Sequence, residues 1–282
     1  MSSWGALLAA RRPVPSPLAP LRAAWRHRHL IAQLTRREIE GRYRGSWLGA
    51  AWALMHPLLL LAVYTFVFGV VFQARWPGLA LDDRGAFAAV LFCGMLTFGV
   101  FAECLQRAPG LVVAQPNLVK KVVFPLEVLP WVSLGAALFH AGVGLAVLLA
   151  FRALTGGGLP PALVLLPALM GPLALLALAA GWLFGALGVF VRDVGQSVGL
   201  ATTVLMFLSP VFYPASALPP AYQGWLWLNP LTALIEAVRQ VVLWNEVPAA
   251  GPVLALWGGT AVAAWLAHAF FEACRQGFAD VM

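Results

Sequence analysis

The stretch WLGAAWALMHPLLLLAVYTFVFGVVF, residues 47–72, decides the fold class of this chain. It contains no Asp, Glu, Lys or Arg, and its conspicuous interruption is His56 followed by Pro57. The hydrocarbon core of a bilayer is about 30 Å thick and a helix rises about 1.5 Å per residue, so about 20 apolar residues cross it. The stretch therefore predicts a membrane-spanning helix, in which proline is tolerated when neighbouring groups satisfy the carbonyl that it leaves unpaired.

Apolar stretches of similar length follow along the rest of the chain. Further spans are predicted at residues 86–105, 128–151, 162–191, 194–213 and 252–271. The composition agrees, because 61% of the residues are hydrophobic and 10% are charged, whereas soluble domains are about 25% charged. We therefore expect an all-α membrane protein with about six transmembrane helices. Residues 214–250, rich in proline and tryptophan, are too polar to cross once as a simple helix.

The segments on either side of the spans complete the predicted organisation. Residues 1–20 form a proline-rich leader, 21–46 an arginine-rich amphipathic helix on the membrane surface, 47–271 the transmembrane domain and 272–282 a short tail. With six crossings the termini share one side, which holds every arginine and lysine except Arg75, Arg84, Arg152 and Arg239. The positive-inside rule then places both termini in the cytoplasm.

Signatures of catalysis are missing from the sequence. No G-x-x-x-x-G-K-[ST] phosphate loop occurs, and the histidines form no H-E-x-x-H metal motif. We therefore expect no catalytic residue, metal site or cofactor on this chain. A membrane glycosyltransferase or acyltransferase acting on a polyprenyl-linked substrate is an alternative, but it needs clustered acids. The only adjacent pair is Asp82 and Asp83, in a short loop.

Two features allow both a structural and a functional interpretation. Glu103 either pairs with Arg107, four residues on, or takes part in gating. Certain aromatic side chains either pack within the protein or line a conduit, where their planes would stack on the apolar faces of sugar rings. These aromatic residues are Tyr64, Phe68, Phe72, Phe98, Phe207, Phe212 and Tyr213.

Five stretches in order resemble the ABC-2 type permeases that export polysaccharides and polyol phosphates. The first, LTRREIEGRYRGSWLGAAWALMHPLL at residues 34–59, is similar to their R-Y-x-x-S-x-L-G-x-x-W-x-x-x-x-P motif. The others are PNLVKKVVFPLEVLP at 116–130, RDVGQ at 192–196, SPVFYPASALP at 209–219 and LNPLTALIEAVRQVVL at 228–243. The proline-rich leader has no counterpart in this set.

The resemblance implies an assembly and a substrate. Two copies of the chain would form the channel in a bacterial inner membrane. Two copies of a separate ABC ATPase subunit, which carries ATP and Mg, would bind beneath, and no nucleic acid would be involved. The substrate would be an undecaprenyl-linked polysaccharide, with O-antigen favoured and capsule second. An ABC-2 exporter of drugs or small lipids is the alternative.

The resemblance also implies roles for particular residues. Arg42, Tyr43 and Arg44 would contact lipid headgroups or the substrate pyrophosphate, together with Lys120 and Lys121. The gate and the ATPase contact would involve Gln115, Pro116, Asn117, Leu118, Phe124 and Pro125. Residues 209–219 and the helix that begins at Asn229 would form external re-entrant helices. Ordinary positive-inside charge would by itself explain the two lysines.

Overall fold

The computed structural model describes residues 16–72, 76, 84–117 and 124–282. In this part of the chain the regular structure is helical, without β-strands, which confirms the predicted all-α class. The α-helices are α1 (Ala19–Arg26), α2 (Arg28–Tyr43), α3 (Trp52–Tyr64), α4 (Arg84–Arg107), α5 (Gly110–Val113), α6 (Leu129–Leu154), α7 (Leu166–Phe190), α8 (Val194–Phe207), α9 (Pro220–Leu228), α10 (Pro230–Arg239), α11 (Ala250–Cys274) and α12 (Phe278–Val281).

Five helical segments in the described residues are long and apolar enough to cross a membrane. They are Trp52–Val71, Gly85–Arg107, Leu126–Leu154, Pro161–Phe190 and Ala250–Val281. The first continues from α3 into π-helical turns at Thr65–Val71. Each overlaps a predicted span, although the last continues through the predicted tail to Val281 instead of ending at residue 271.

The predicted span at residues 194–213 is shorter in the structure. Helix α8 has 14 residues, which corresponds to a rise of about 21 Å and is less than the bilayer core. The helix stops at Phe207 because prolines follow at positions 210 and 214, and proline disfavours helical backbone in the residue before it. Beyond this point the chain turns back through α9 and α10.

The predicted surface helix at residues 21–46 is divided into α1 and α2, with the break at His27. No residue of α2 is fully buried, so this helix lies on the outside of the bundle. It crosses α6 closely, because a Cβ at Gly135 would come within 2.8 Å of the Thr35 side chain. The location of both helices on a membrane surface stays a prediction.

Helix α7 is the centre of the core. It packs along α11 and also contacts α4 and α6, and Trp182 and Leu173 on α7 are buried. Small residues allow close approach of the backbones, as is common between membrane helices. A Cβ at Gly188, for example, would lie 2.3 Å from the carbonyl oxygen of Pro109.

The alternating helix directions separate two ends of the bundle. One end, called here the basic end, holds α1, α2, Arg107, Arg192 and Arg275. At the other end, Arg152 of α6 donates hydrogen bonds to the carbonyl oxygens of Val242 and Leu243. The end of α6 is thereby joined to the π-helical turns Gln240–Trp244 that follow α10.

Candidate functional site

A cleft of about 620 Å³ opens between α2, α3, α4 and α6. Its walls are largely apolar, with Trp52 and Leu60 from α3 and Phe92 and Leu96 from α4. Polar side chains also line it: Arg42, Tyr43, His56, Glu103, Gln106, Arg107 and His140. The cleft therefore combines a hydrocarbon-like interior with a small group of charges.

Four of these side chains form the Glu103 cluster: Arg42, Glu103, Arg107 and His140. The Arg42 Nη1 atom donates to Glu103 Oε1 at 2.9 Å, and His140 Nδ1 lies 3.0 Å from Glu103 Oε2. Arg107 Nη2 pairs with Glu38 of α2, while its Nη1 lies 3.6 Å from Glu103. The cluster thus joins α2, α4 and α6 at the cleft.

The tautomer of His140 decides which of the contacts at its Nδ1 atom is a hydrogen bond. Its Nδ1 also lies 2.9 Å from the Arg42 guanidinium, which can only donate. A single ring nitrogen cannot accept from Arg42 and donate to Glu103 at the same time. With the proton on Nδ1, both Glu103 oxygens accept a hydrogen bond and the Arg42 and His140 groups converge on one carboxylate.

The sequence-based pairing of Glu103 with Arg107 is present in the structure but is not the shortest contact. The closer partners, Arg42 and His140, lie 61 and 37 residues away along the chain. The alternative role of Glu103 in gating stays a prediction.

Tyr43 closes one side of the cluster. Its ring meets His140 edge-on, with the centroids 6.2 Å apart and the planes at 81°. Partial burial raises the pKa of the Tyr43 hydroxyl above its ordinary value, with a smaller opposing effect of Arg42. Tyr43 is therefore a neutral hydrogen-bonding group at physiological pH. Arg44, the next residue, is exposed.

Six of the seven predicted aromatic residues lie together. Ring contacts link Tyr64 to Phe68 and Phe68 to Phe72 at centroid distances of 6.2 and 5.9 Å. Phe207 contacts Phe212 at 5.7 Å, and the Tyr213 hydroxyl donates to the Phe207 carbonyl oxygen. Both groups are joined because Phe68 and Phe212 pack on one buried cluster of Trp76, Phe87, Val90 and Leu91. We call these six residues the aromatic row.

Phe98 does not belong to the aromatic row. Its side chain is 3% exposed and packs in the main core of the bundle. A ring in this position is covered by neighbouring helices and has no surface to offer to a conduit. We therefore leave Phe98 out of the proposals below.

Comparison with known proteins places this architecture in a family. The sequence profile of the ABC-2 type transporter family matches residues 29–243. The chain belongs to this family. The match extends from α2 through the π-helical turn after α10, and so it includes the cleft, the Glu103 cluster and the aromatic row. The ABC-2 chain is a multi-pass membrane protein.

Several relatives of the ABC-2 chain are transport proteins. An O-antigen export system permease protein RfbA from Myxococcus xanthus is 29% identical over 262 residues, which cover 92% of this chain and 98% of the relative. An RfbA from Klebsiella pneumoniae is 24% identical, with coverages of 76% and 80%. The polysialic acid transport protein KpsM from Escherichia coli is 22% identical, with coverages of 76% and 81%.

The described residues of the predicted gate segment of the ABC-2 chain lie at the basic end. Gln115, Pro116 and Asn117 are exposed, whereas Leu118, Lys120 and Lys121 lie outside the described residues. Beyond that gap, Phe124 and Pro125 are half-buried. Arg275 holds this side of the segment, since it donates to the Phe124 carbonyl oxygen and pairs with Glu127, both at 2.9 Å.

Sequence reasoning missed the role of Arg239 in the ABC-2 chain. The sequence places it among the charges on the side opposite the termini, but its side chain is fully buried. It donates to the carbonyl oxygens of Val90, Pro210 and Val211 and to the carboxylate of Glu236. The sequence contained a signal: an arginine within the apolar run at 231–243, three residues after a glutamate.

No group of three or more His, Cys, Asp or Glu side chains in the described part of the ABC-2 chain is arranged to hold a metal ion. The expectation that the chain carries no cofactor stays a prediction.

Proposed function

We propose that this chain is the membrane subunit of an ABC exporter for a lipid-linked polysaccharide in a bacterial inner membrane. The observation that carries this proposal is the similarity to the O-antigen permease of Myxococcus xanthus, which spans 92% of this chain and 98% of that protein. O-antigen is favoured over capsule because two polysialic acid transport relatives are 22% and 24% identical and each covers 76% of this chain.

The exposed faces of the bundle support an assembly of two copies. Apolar side chains cover much of the first span (Trp52–Val71) and of α8, including Phe66, Val71, Leu200 and Val204, and they are exposed. In a membrane, lipid or a second copy must cover these faces. We propose that two copies meet here and that the polymer passes between them.

The aromatic row supplies a surface on which sugars can slide. Phe72 and Phe207 at its rim are 66% and 60% exposed, while the rings behind them are partly covered. Stacking on an aromatic plane does not require one particular hydroxyl pattern, so successive sugars of a polymer can use the same rings. This property suits transport of a long chain better than recognition of one small molecule.

The basic end would face the cytoplasm and a separate ATPase. We propose that two ATPase subunits, carrying ATP and Mg, dock on the exposed residues 115–117. Lys120 and Lys121 lie close to them in sequence and would attract a pyrophosphate group. Both chain termini would then be cytoplasmic.

The experiment compares surface polysaccharide in a strain that lacks this chain with the same strain complemented by variants. Phe72→Ala and Phe207→Ala should lower the rate of polymer appearance at the surface without lowering the amount of chain in the membrane. Leu254→Ala is the control, because this apolar side chain is exposed on α11 and belongs neither to the aromatic row nor to the face on which two copies are proposed to meet. Affinity purification from these membranes should recover an ABC ATPase.

Two results would contradict the proposal. Surface polysaccharide that is unchanged without the chain would refute polysaccharide export and would direct attention to drugs or small lipids. Equal losses of polymer and of chain in the Phe72 and Phe207 variants would assign those rings to packing alone.

A further inference from the structure

The Glu103 cluster leaves one side of a guanidinium group free. Every hydrogen bond of Arg42 to the described residues involves its Nη1 atom. The Nε and Nη2 atoms, which form the other edge of the planar group, make none within that part of the chain. The Arg42 side chain is 47% exposed. A free two-donor edge is the geometry that binds a phosphate or carboxylate through two parallel hydrogen bonds.

Glu103 and His140 hold this edge in place. An arginine side chain on a surface samples many rotamers, and a ligand must immobilise it on binding. Here the carboxylate of Glu103 already holds Nη1 at 2.9 Å, and the His140 ring, at 3.0 Å from the other oxygen of that carboxylate, holds the carboxylate in place. The two residues are therefore positioning residues for Arg42. Glu103 and Glu38 also balance the charges of Arg42 and Arg107, so the empty cleft is not strongly basic.

A second cavity adjoins the cleft. It has a volume of about 160 Å³ and lies between α4, α6, α7 and α10. Leu96, Val100 and Ala141 line both cavities, so the two spaces are neighbours across the same side chains. The inner cavity is almost entirely apolar, with Leu138, Leu145 and Leu148 among its other walls. Such a wall favours hydrocarbon and offers nothing to sugar hydroxyls.

We propose that the cleft binds a phosphate-headed lipid, with the phosphate on the Nε–Nη2 edge of Arg42 and the hydrocarbon chain directed toward the inner cavity. The proposal deepens the proposed function and rests on it, because it gives a place on the chain to the lipid part of the substrate. Two sources share this chemistry: a polyprenyl phosphate carrier and an ordinary anionic phospholipid.

The test uses the full chain in nanodiscs that contain a polyprenyl phosphate probe with a diazirine on its isoprenoid chain. Irradiation and peptide mapping should identify α4 and α6 as the labelled helices. Loss of a charge-assisted bidentate contact weakens binding by about tenfold or more. Arg42→Ala should therefore decrease labelling about tenfold. Arg42→Lys should decrease it to an intermediate level, because lysine keeps the charge but lacks the two parallel hydrogen-bond donors.

Matched variants separate binding from general effects of charge and folding. Arg37→Ala removes the same charge from an exposed position of α2 and should label as the unmodified chain does. Gly142→Leu fills the inner cavity, since an added Cβ at Gly142 meets no atom within 4 Å. It should decrease labelling severalfold, whereas Gly258→Leu, at an exposed and equally open position of α11, should not. Thermal unfolding of each variant shows that it is folded.

Competition distinguishes the two sources of lipid. If undecaprenyl phosphate prevents labelling at a lower concentration than phosphatidylglycerol does, the cleft binds the carrier. If phosphatidylglycerol prevents labelling at the lower concentration, the cleft binds phospholipid, which contradicts the proposed link between the cleft and the substrate. Labelling that maps elsewhere, or that is unchanged in folded Arg42→Ala and Gly142→Leu chains, overturns the site even if surface polysaccharide still depends on the chain. If polysaccharide does not depend on the chain, the proposed function fails whether or not the probe binds.

Discussion

Replacing Arg239 by methionine tests the structure at its most heavily bonded buried side chain. Methionine is similar in length and apolar, so the space stays filled while the hydrogen bonds are lost. The carbonyl oxygens of Val90, Pro210 and Val211 would lose a donor, and the Glu236 carboxylate would lose its partner at 3.0 Å. These groups belong to α4, to the turn after α8 and to α10.

The expected loss of stability follows from these contacts. Hydrogen bonds inside membrane proteins contribute about 0.6 kcal/mol on average and up to about 1.7 kcal/mol. Arg239 also lies over the Trp76 ring at 4.7 Å, a cation–π contact worth about 1 to 2 kcal/mol when it is desolvated. Together the four hydrogen bonds and the ring contact predict a loss of about 4 kcal/mol, consistent with the cost of breaking a buried ion pair. Scaling for chains of this size gives a decrease of about 8 to 16 °C in Tm.

The assay is unfolding of the purified chain in detergent, by heat and by titration with a denaturing detergent. Arg37→Met, the same change at an exposed position of α2, is the control and should have little effect. Adding Glu236→Leu to Arg239→Met should recover part of the loss, because it removes the orphaned carboxylate. If Arg239→Met unfolds at the same temperature as the control, the reasoning about the buried network is wrong.

Two glycine substitutions test the close contacts of the bundle. Gly94→Ala should destabilise the chain, because the new Cβ would lie 2.5 Å from the Arg239 guanidinium; Gly99→Ala on the same helix meets no atom within 4 Å and should be neutral or slightly stabilising in thermal unfolding. Gly188→Ala should destabilise the chain more than Gly94→Ala does, because its Cβ would meet the Pro109 backbone, which cannot move aside as a side chain can. If this variant has the yield and Tm of the unmodified chain, the contact between α7 and Pro109 is looser than described.

The sequence predicted the membrane-spanning helices because length and hydrophobicity are sufficient to identify them. The same uniform hydrophobicity conceals which face of a helix is covered, since apolar residues surround the whole helix. Phe98 and Phe207 both lie in apolar stretches, yet one is buried and the other exposed. Hydropathy alone extends the fifth span to residue 213, whereas the prolines at 210 and 214 end α8 at Phe207.

The cleft was only partly predictable from the sequence. Family resemblance drew attention to Arg42, and the position of Glu103 in an apolar helix marked it as unusual. The contact with His140 arises from the packing of α4 against α6, which no spacing along the chain encodes. The roles of these residues in binding stay predictions.

The π-helical turns at Thr65–Val71 affect how the chain would respond to a change in length. A π-turn accommodates more residues than an α-turn, so deleting one residue there would allow the backbone to return to α geometry. Because the extra residue is absorbed within these turns, the residues beyond the deletion would keep their orientation relative to α3. A deletion inside α3 itself would instead rotate everything beyond it by about 100° relative to what precedes it, and Phe68 and Phe72 would face in a new direction, although the segment would remain just as hydrophobic. Insertion into the membrane and presentation of these rings are thus separable by where a single residue is deleted.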